Sequence, residues 1–261
     1  MPAANKSANK LMPGNFMVIW QILLGVAFLG AWQALVDAGK LDKFFFSRPS
    51  DIAARVVQWL RTGFIWPHLA VTLEEAALAF VLGASAGVAL GFGLARAPRL
   101  GALLDPYIKV MNALPRVVLA PIFLLWFGLG IWSKVALGVT VVFFIVFFNT
   151  HRGVRDVDPV VVNNARMLGA SEWQLARHVL FPSALTWVFS SLNISIGFAM
   201  IAVVVGEYLG AARGVGYLIS QAEGTFDTTG VFAGMAVLSA AVLLVGWGVG
   251  RLERWLLRWK V

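Results

Sequence analysis

Six apolar stretches, each long enough to cross a bilayer, dictate what this chain can fold into. They lie at roughly 16–36, 69–94, 103–127, 131–150, 182–206 and 230–250, and a helix needs about 20 such residues to span the hydrocarbon core. Asp105, Lys109 and Arg116 interrupt the third. The runs do not alternate polar and apolar positions as barrel strands must, as Val135 to Phe148 shows. The expected class is therefore all-α, a polytopic membrane protein with six transmembrane helices. Composition agrees: 59% of the 261 residues are hydrophobic and only 13% charged, against about 25% charged in soluble domains. A soluble enzyme, a disordered chain and a collagen-like fibre are excluded.

Charge sets the orientation. Six crossings return the chain to the side where it started. Twelve Lys and Arg fall on the N-terminal side and seven on the other. Because Lys and Arg are retained on the cytoplasmic side, both termini are expected in the cytoplasm. The net charge of +8 is read as loop charge and not as a nucleic-acid footprint, since no basic run is interleaved with aromatics. Lys6 and Lys10 precede a first stretch too long for a signal peptide and without a cleavage site, so it is read as a retained helix. At the other end Arg251, Arg254 and Arg258, with Trp255 and Trp259, read as an interfacial stop.

The chain divides into residues 1–67, a first span plus an outer segment, and residues 68–261, a core of five spans. In the outer segment Ser50 before Asp51 predicts an N-cap. Ile52, Val56, Trp59 and Leu60 then recur at helical spacing, giving a helix that either lies in the interface or packs on the bundle. Gly83, Gly87 and Gly91 form a small-residue stripe that lets another helix approach. Gly246 and Gly250 repeat the theme, and packing within the chain is the expected use.

No chemistry of the catalytic kind is legible. There is no cysteine, and His68, His151 and His178 are too widely spaced for a metal pair. Glu74, Glu75 and Glu207 have no nucleophile or base beside them and are read as structural acids. A membrane-embedded transferase would need such a constellation. A secondary carrier often shows inverted repeats, and none is apparent. The intramembrane cations Lys109 and Arg116 are seven apart, hence on one face of the third helix, beside a kink at Pro115 and ahead of Pro121. Facing a pore they would suit an anion; otherwise Lys109 pairs with Asp105 and Arg116 bonds locally. Asn193 and Ser195 in the fifth span either line the path or bond across helices.

The segment from about His151 to Phe181 carries the function. Asp158-Pro159 begins a helix, Gly169 stops it, and Ser171 caps a second through Glu172, leaving Arg166, Trp173 and Arg177 as a docking surface. This segment resembles the EAA loop of ABC-type importer permeases, whose pattern is met by Ala165, Gly169, Val179 and Pro182, with Ala170 beside the glycine. Asn163 and Asn164 stand where that pattern has Glu and Ala, and Phe181 where it has Leu, so no acid is present at 163 to bind a nucleotide-binding subunit. FSRPSDI from Phe46, PIFLLWFGLGIWSKVAL from Pro121, NTHRGVRDVDP from Asn149 and GEYLGAARGVGYLI from Gly206 are similar to the nitrate/sulfonate/taurine branch. The resemblance implies a coupling loop at 151–181 and a second permease, as a homodimer or a paired permease. It also implies two ATP-binding subunits that carry ATP and Mg²⁺, and a periplasmic solute-binding protein. The chain has no G-x-x-x-x-G-K-[ST] phosphate loop of its own.

Overall fold

The computed structural model describes residues 14–256. Lys6, Lys10, Arg258, Trp259 and Lys260 lie outside the described residues, as do the side chains of Arg254 and Trp255. Among the described residues there are helices and no strand. Five helices are long and apolar enough to cross a membrane: α1 (Gly14–Asp37), α4 (Ile65–Arg96), α7 (Ile131–Arg155), α10 (Phe181–Leu209) and α12 (Thr228–Leu256). The sixth crossing is a broken pair, α5 (Pro98–Ala113) and α6 (Ala120–Phe127), joined by a 3₁₀ turn at Arg116–Leu119 and bent by 86°. Short helices cap the two ends. α2 (Lys43–Phe46), α3 (Pro49–Thr62) and α11 (Val215–Gly224) lie at one end, here the far end; α8 (Pro159–Met167) and α9 (Glu172–Leu175) lie at the other, the loop end.

The third crossing is broken beside Pro115, as expected, but by a bend of 86° that goes far beyond a kink. Leu114 precedes Pro115 and is driven out of the helical region, to φ −63° and ψ 131°. Pro121 then sits in the first turn of α6, where its missing N–H has no helical partner to lose. Lys109 and Arg116 therefore do not share a helical face.

The centre of the bundle is α4 against α7 and α10. On α4, Gly83, Gly87 and Gly91 all face α7. A Cβ on Gly87 would lie 2.9 Å from the Phe143 carbonyl oxygen and the Val146 Cβ, and one on Gly91 would lie 2.7 Å from the Phe147 carbonyl oxygen. Gly138 returns the approach from α7, where a Cβ would fall 2.5 Å from that of Ala79. Ala84, Val142, Val146 and Ala199 fill the core beside this seam. In a bilayer such contact is the main source of helix affinity, since lipid tails are as apolar as the side chains they replace. Gly246 and Gly250 do not extend the pattern: a Cβ on either meets nothing within 4 Å in this chain.

At the far end α3 packs its apolar face downward. Val56 and Trp59 join the cluster of Ile65, Val215, Leu218, Ile219 and Val237. Arg55 donates to Asp227 at 2.6 Å. The helix begins at Pro49 and not at a Ser50 cap; the Ser50 amide donates instead to Gln33 of α1 at 3.1 Å. Lys43 and Arg48 flank Asp51 at 2.9 and 3.5 Å, and the Lys43 hydrogen bond holds the Asp51 carboxyl below its ordinary range. The segment packs on the bundle.

Candidate functional site

Three regions stand out, two with polar groups inside the bundle and one on the exposed loop, and they differ in what they can do.

The first is a cavity of about 550 Å³ between the broken crossing, α7 and α10. Its walls are mostly aliphatic and aromatic, with Phe144, Phe148 and Phe198 prominent and Asn112, Arg116 and Asn149 as the polar groups. The 3₁₀ turn that follows Pro115 places Arg116 here. Its guanidinium donates to the Asn112 side-chain oxygen at 2.5 Å and lies over the Phe144 ring, 5.3 Å from the centroid. Among the described residues Arg116 forms no ion pair, and its buried Nε has no hydrogen-bond partner. A cation so placed must find an anion, a carbonyl or water. Lys109, in contrast, stands outside this cavity, exposed and bound to Asp105 at 2.6 Å. Asn193 is exposed on α10, next to the lining residue Ile194 but not itself in the lining. Ser195 is fully buried and bonds back to the Ser191 carbonyl at 2.6 Å. Asn112 and Asn149 escaped the sequence reading; the spacing of Asn112 four residues before Arg116 was the available signal.

The second region is a buried polar knot at the far end. Glu75, Lys134 and Glu207 are 2%, 1% and 1% exposed. Glu207 accepts from the Thr72 hydroxyl at 2.6 Å and the Gly216 amide at 2.7 Å, and the Val215 amide donates to Thr72 at 2.9 Å. Lys134 donates to the carbonyls of Leu129 and Gly130 at 2.7 and 3.0 Å, with Glu75 and Glu207 as the facing charges. His68 faces Gly214, whose amide nitrogen and carbonyl oxygen both lie 3.2 Å from Nδ1; it does not meet Glu74, which is exposed. Thr72 and Glu207 tie α4 to α10, Glu207 and Thr72 hold the start of α11, and Lys134 closes the turn ahead of α7. Lys134 was missed because its counter-charges sit on other helices.

The third region is the loop end. Asp158 caps α8 by accepting from the Val160 amide at 2.8 Å, with Pro159 at the first helical position. Gly169 turns the chain at φ +83°, a left-handed conformation that favours glycine. α9 opens with a capping box between Ser171 and Gln174. The expected partner of Ser171, Glu172, instead binds Arg166 at 3.0 Å and approaches Arg96 of α4. Of the loop residues singled out above, Asn163 is exposed on α8, Ala165 and Ala170 flank the turn half-buried, and Val179 lies in the π-helical turn Ala176–Leu180 that leads into α10. Pro182 is in the first turn of α10. Glu172 to Leu209 thus runs as one continuous 38-residue helical element. On the outside of the turn Met167 and Leu168 stand fully out, Leu168 at 88% exposure, with Trp173 close by in sequence at 68%.

A bundle of this kind with a two-helix loop between its fourth and fifth crossings has known counterparts. The family described as the binding-protein-dependent transport system inner membrane component matches residues 79–258. The chain belongs to that family. An aliphatic sulfonates transport permease of Bacillus subtilis is 31% identical across 100% of this chain and 95% of its own. A riboflavin transport system permease of Chloroflexus aurantiacus is 34% identical over 88% and 85% of the two chains, and a taurine transport system permease of Escherichia coli 28% over 88% and 86%. Among solved structures, an amino acid ABC transporter covers 77% of this chain at a TM-score of 0.61 and 19% identity. An inward-facing methionine ABC transporter covers 76% at 0.60. Both share its fold. The protein is an ABC transporter permease subunit, a multi-pass inner-membrane protein of the branch that includes sulfonate and taurine permeases.

Proposed function

We propose that this permease forms the membrane path of an ATP-driven importer for a small anionic solute. The observation that carries the reading is Arg116, a cation without an ion pair among the described residues, at the wall of the large cavity beside the broken crossing. Arg can grip carboxylate or sulfonate oxygens in a two-pronged fork, which suits such a solute. A periplasmic binding protein delivers it, and a second copy of this chain completes the path as a homodimer. The loop end faces the cytoplasm, as the distribution of Lys and Arg favours, and both termini lie on that side.

Two ATP-binding subunits carry ATP and Mg²⁺ and dock on the loop around Gly169. The apolar knobs Met167, Leu168 and Trp173 support that assignment, because an exposed apolar cluster on a polar loop asks for a partner. Closure of those subunits on ATP moves the loop, and the continuous helix from Glu172 to Leu209 carries the displacement to the cavity wall.

Two variants test the two halves. Leu168→Asp should lose the co-purifying ATPase subunit while the permease stays in the membrane; undiminished co-purification refutes the docking assignment. Arg116→Gln should slow uptake of the anion at unchanged protein level and basal ATP hydrolysis, with Arg116→Lys restoring it in part. Normal uptake by Arg116→Gln, or a cation in the cognate binding protein, removes Arg116 from the path.

A further inference from the structure

The walls around Arg116 restrict the solute further than its charge does. We propose that the cavity takes an organic anion with a flat or branched apolar body, the acid group on Arg116 and the body between Phe148 and Phe198. This inference rests on the anion-path reading above.

The cavity measures about 550 Å³, within the range of sites that hold whole organic ligands and far larger than a nitrate or sulfate ion needs. Only three of its lining residues, Asn112, Arg116 and Asn149, end in polar side-chain groups. One Arg116 donor is already committed to Asn112, and Asn149 donates to the Ile145 carbonyl at 2.8 Å. A bare inorganic anion entering here would give up its hydration shell to one guanidinium and otherwise face hydrocarbon, and burial of charge without hydrogen bonds is costly. An anion whose charge is confined to one end avoids that penalty. Its head meets the guanidinium fork and its body meets Phe148 and Phe198, where removal of apolar surface from water is favourable. Arg116 is also fixed in advance: Asn112 holds one edge and the Phe144 ring supports its face, so little side-chain freedom is lost when the head binds. Among the three aromatic wall residues Phe198 is the most open to a ligand's body, at 46% exposure on the cavity side of α10.

The test uses the full permease purified with its ATPase subunits, and reads protection against thermal unfolding by benzenesulfonate, methanesulfonate, sulfate and the uncharged benzenesulfonamide. Benzenesulfonate should protect at a concentration at least about tenfold lower than methanesulfonate, with sulfate and benzenesulfonamide weaker still. Phe198→Leu keeps apolar bulk and should narrow the gap between benzenesulfonate and methanesulfonate; Arg116→Gln should abolish protection by both. Equal protection by sulfate, methanesulfonate and benzenesulfonate overturns the apolar-body inference and leaves the anion path standing. Protection by benzenesulfonamide equal to that by benzenesulfonate, or undiminished in Arg116→Gln, overturns the anion path itself. Absence of protection by every probe overturns the inference, whereas retained coupling to the ATPase subunits still supports the importer reading.

Discussion

A carboxylate inside a membrane protein is stabilised when its hydrogen-bond donors are already fixed in place, and Glu207 has two of them in the Thr72 hydroxyl and the Gly216 amide. The arrangement depends on backbone passing very close to the acid. Gly214 sits at φ +119°, and a Cβ there would fall 2.2 Å from the Glu207 Cδ. A Cβ on Gly216 would meet the Val204 carbonyl oxygen at 2.4 Å. Gly214→Ala combines a backbone conformation that L residues rarely adopt with a direct clash. Strain of that kind costs on the order of 1–3 kcal/mol before the clash is counted. The variant should show a markedly lower thermal midpoint in detergent and looser packing of α11. Loss of the Glu207 contact also strips compensation from Lys134, whose charge is buried beside it. Unchanged thermal stability in Gly214→Ala would mean that the loop after α10 is not held by Glu207.

At the scale of the elements, the seam between α4 and α7 should be the least tolerant surface in the bundle. Gly87→Leu drives a side chain into the Phe143 carbonyl and Val146, and overpacking of this kind costs at least about 1–3 kcal/mol. Gly93→Leu on the same helix meets nothing within 4 Å and serves as the control. The first variant should lose stability or accumulate poorly in the membrane, and the second should match the parent. Equal behaviour of the two would refute the seam. This seam was legible in the sequence because a four-residue spacing of glycines marks one helix face wherever the helix is straight. The same arithmetic failed for Lys109 and Arg116, since a shared face across seven residues presumes an unbroken helix, and Leu114 with Pro115 ends it between them. Spans were readable from their length, and the loop from Pro159, Gly169 and Ser171, because those signals act within a few residues. The cavity and the Glu75–Lys134–Glu207 knot were not, because each is assembled from helices distant in the chain, and no local pattern records which faces will meet.

For the whole molecule, the coupling proposed above requires a route from the loop end to the cavity. α8 and α9 are separated from each other only by the turn at Gly169, and α9 passes through the π-helical turn into α10 without a break. The loop is therefore one stiff attachment to a helix that lines the cavity with Ile194, Phe198 and Ile201. Glu172 adds a second link, to Arg166 on α8 and toward Arg96 at the end of α4. Gly169→Val asks a β-branched residue to hold φ +83°. Nothing lies within 4 Å of the added Cβ, so the penalty is conformational and not steric. The turn should relax and rotate α8 against α9, with Met167 and Leu168 moved off the docking surface, while the bundle itself stays intact. Membrane abundance and thermal stability of the permease should change little, and solute uptake should fall about tenfold or more, with ATP hydrolysis by the bound subunits no longer responding to the binding protein. Gly169→Asn, which tolerates the left-handed region better than other side chains, should retain more uptake than the valine variant. Full uptake in Gly169→Val would show that the angle between the two loop helices is not what transmits the stroke, and would shift coupling onto the Glu172 link to α4.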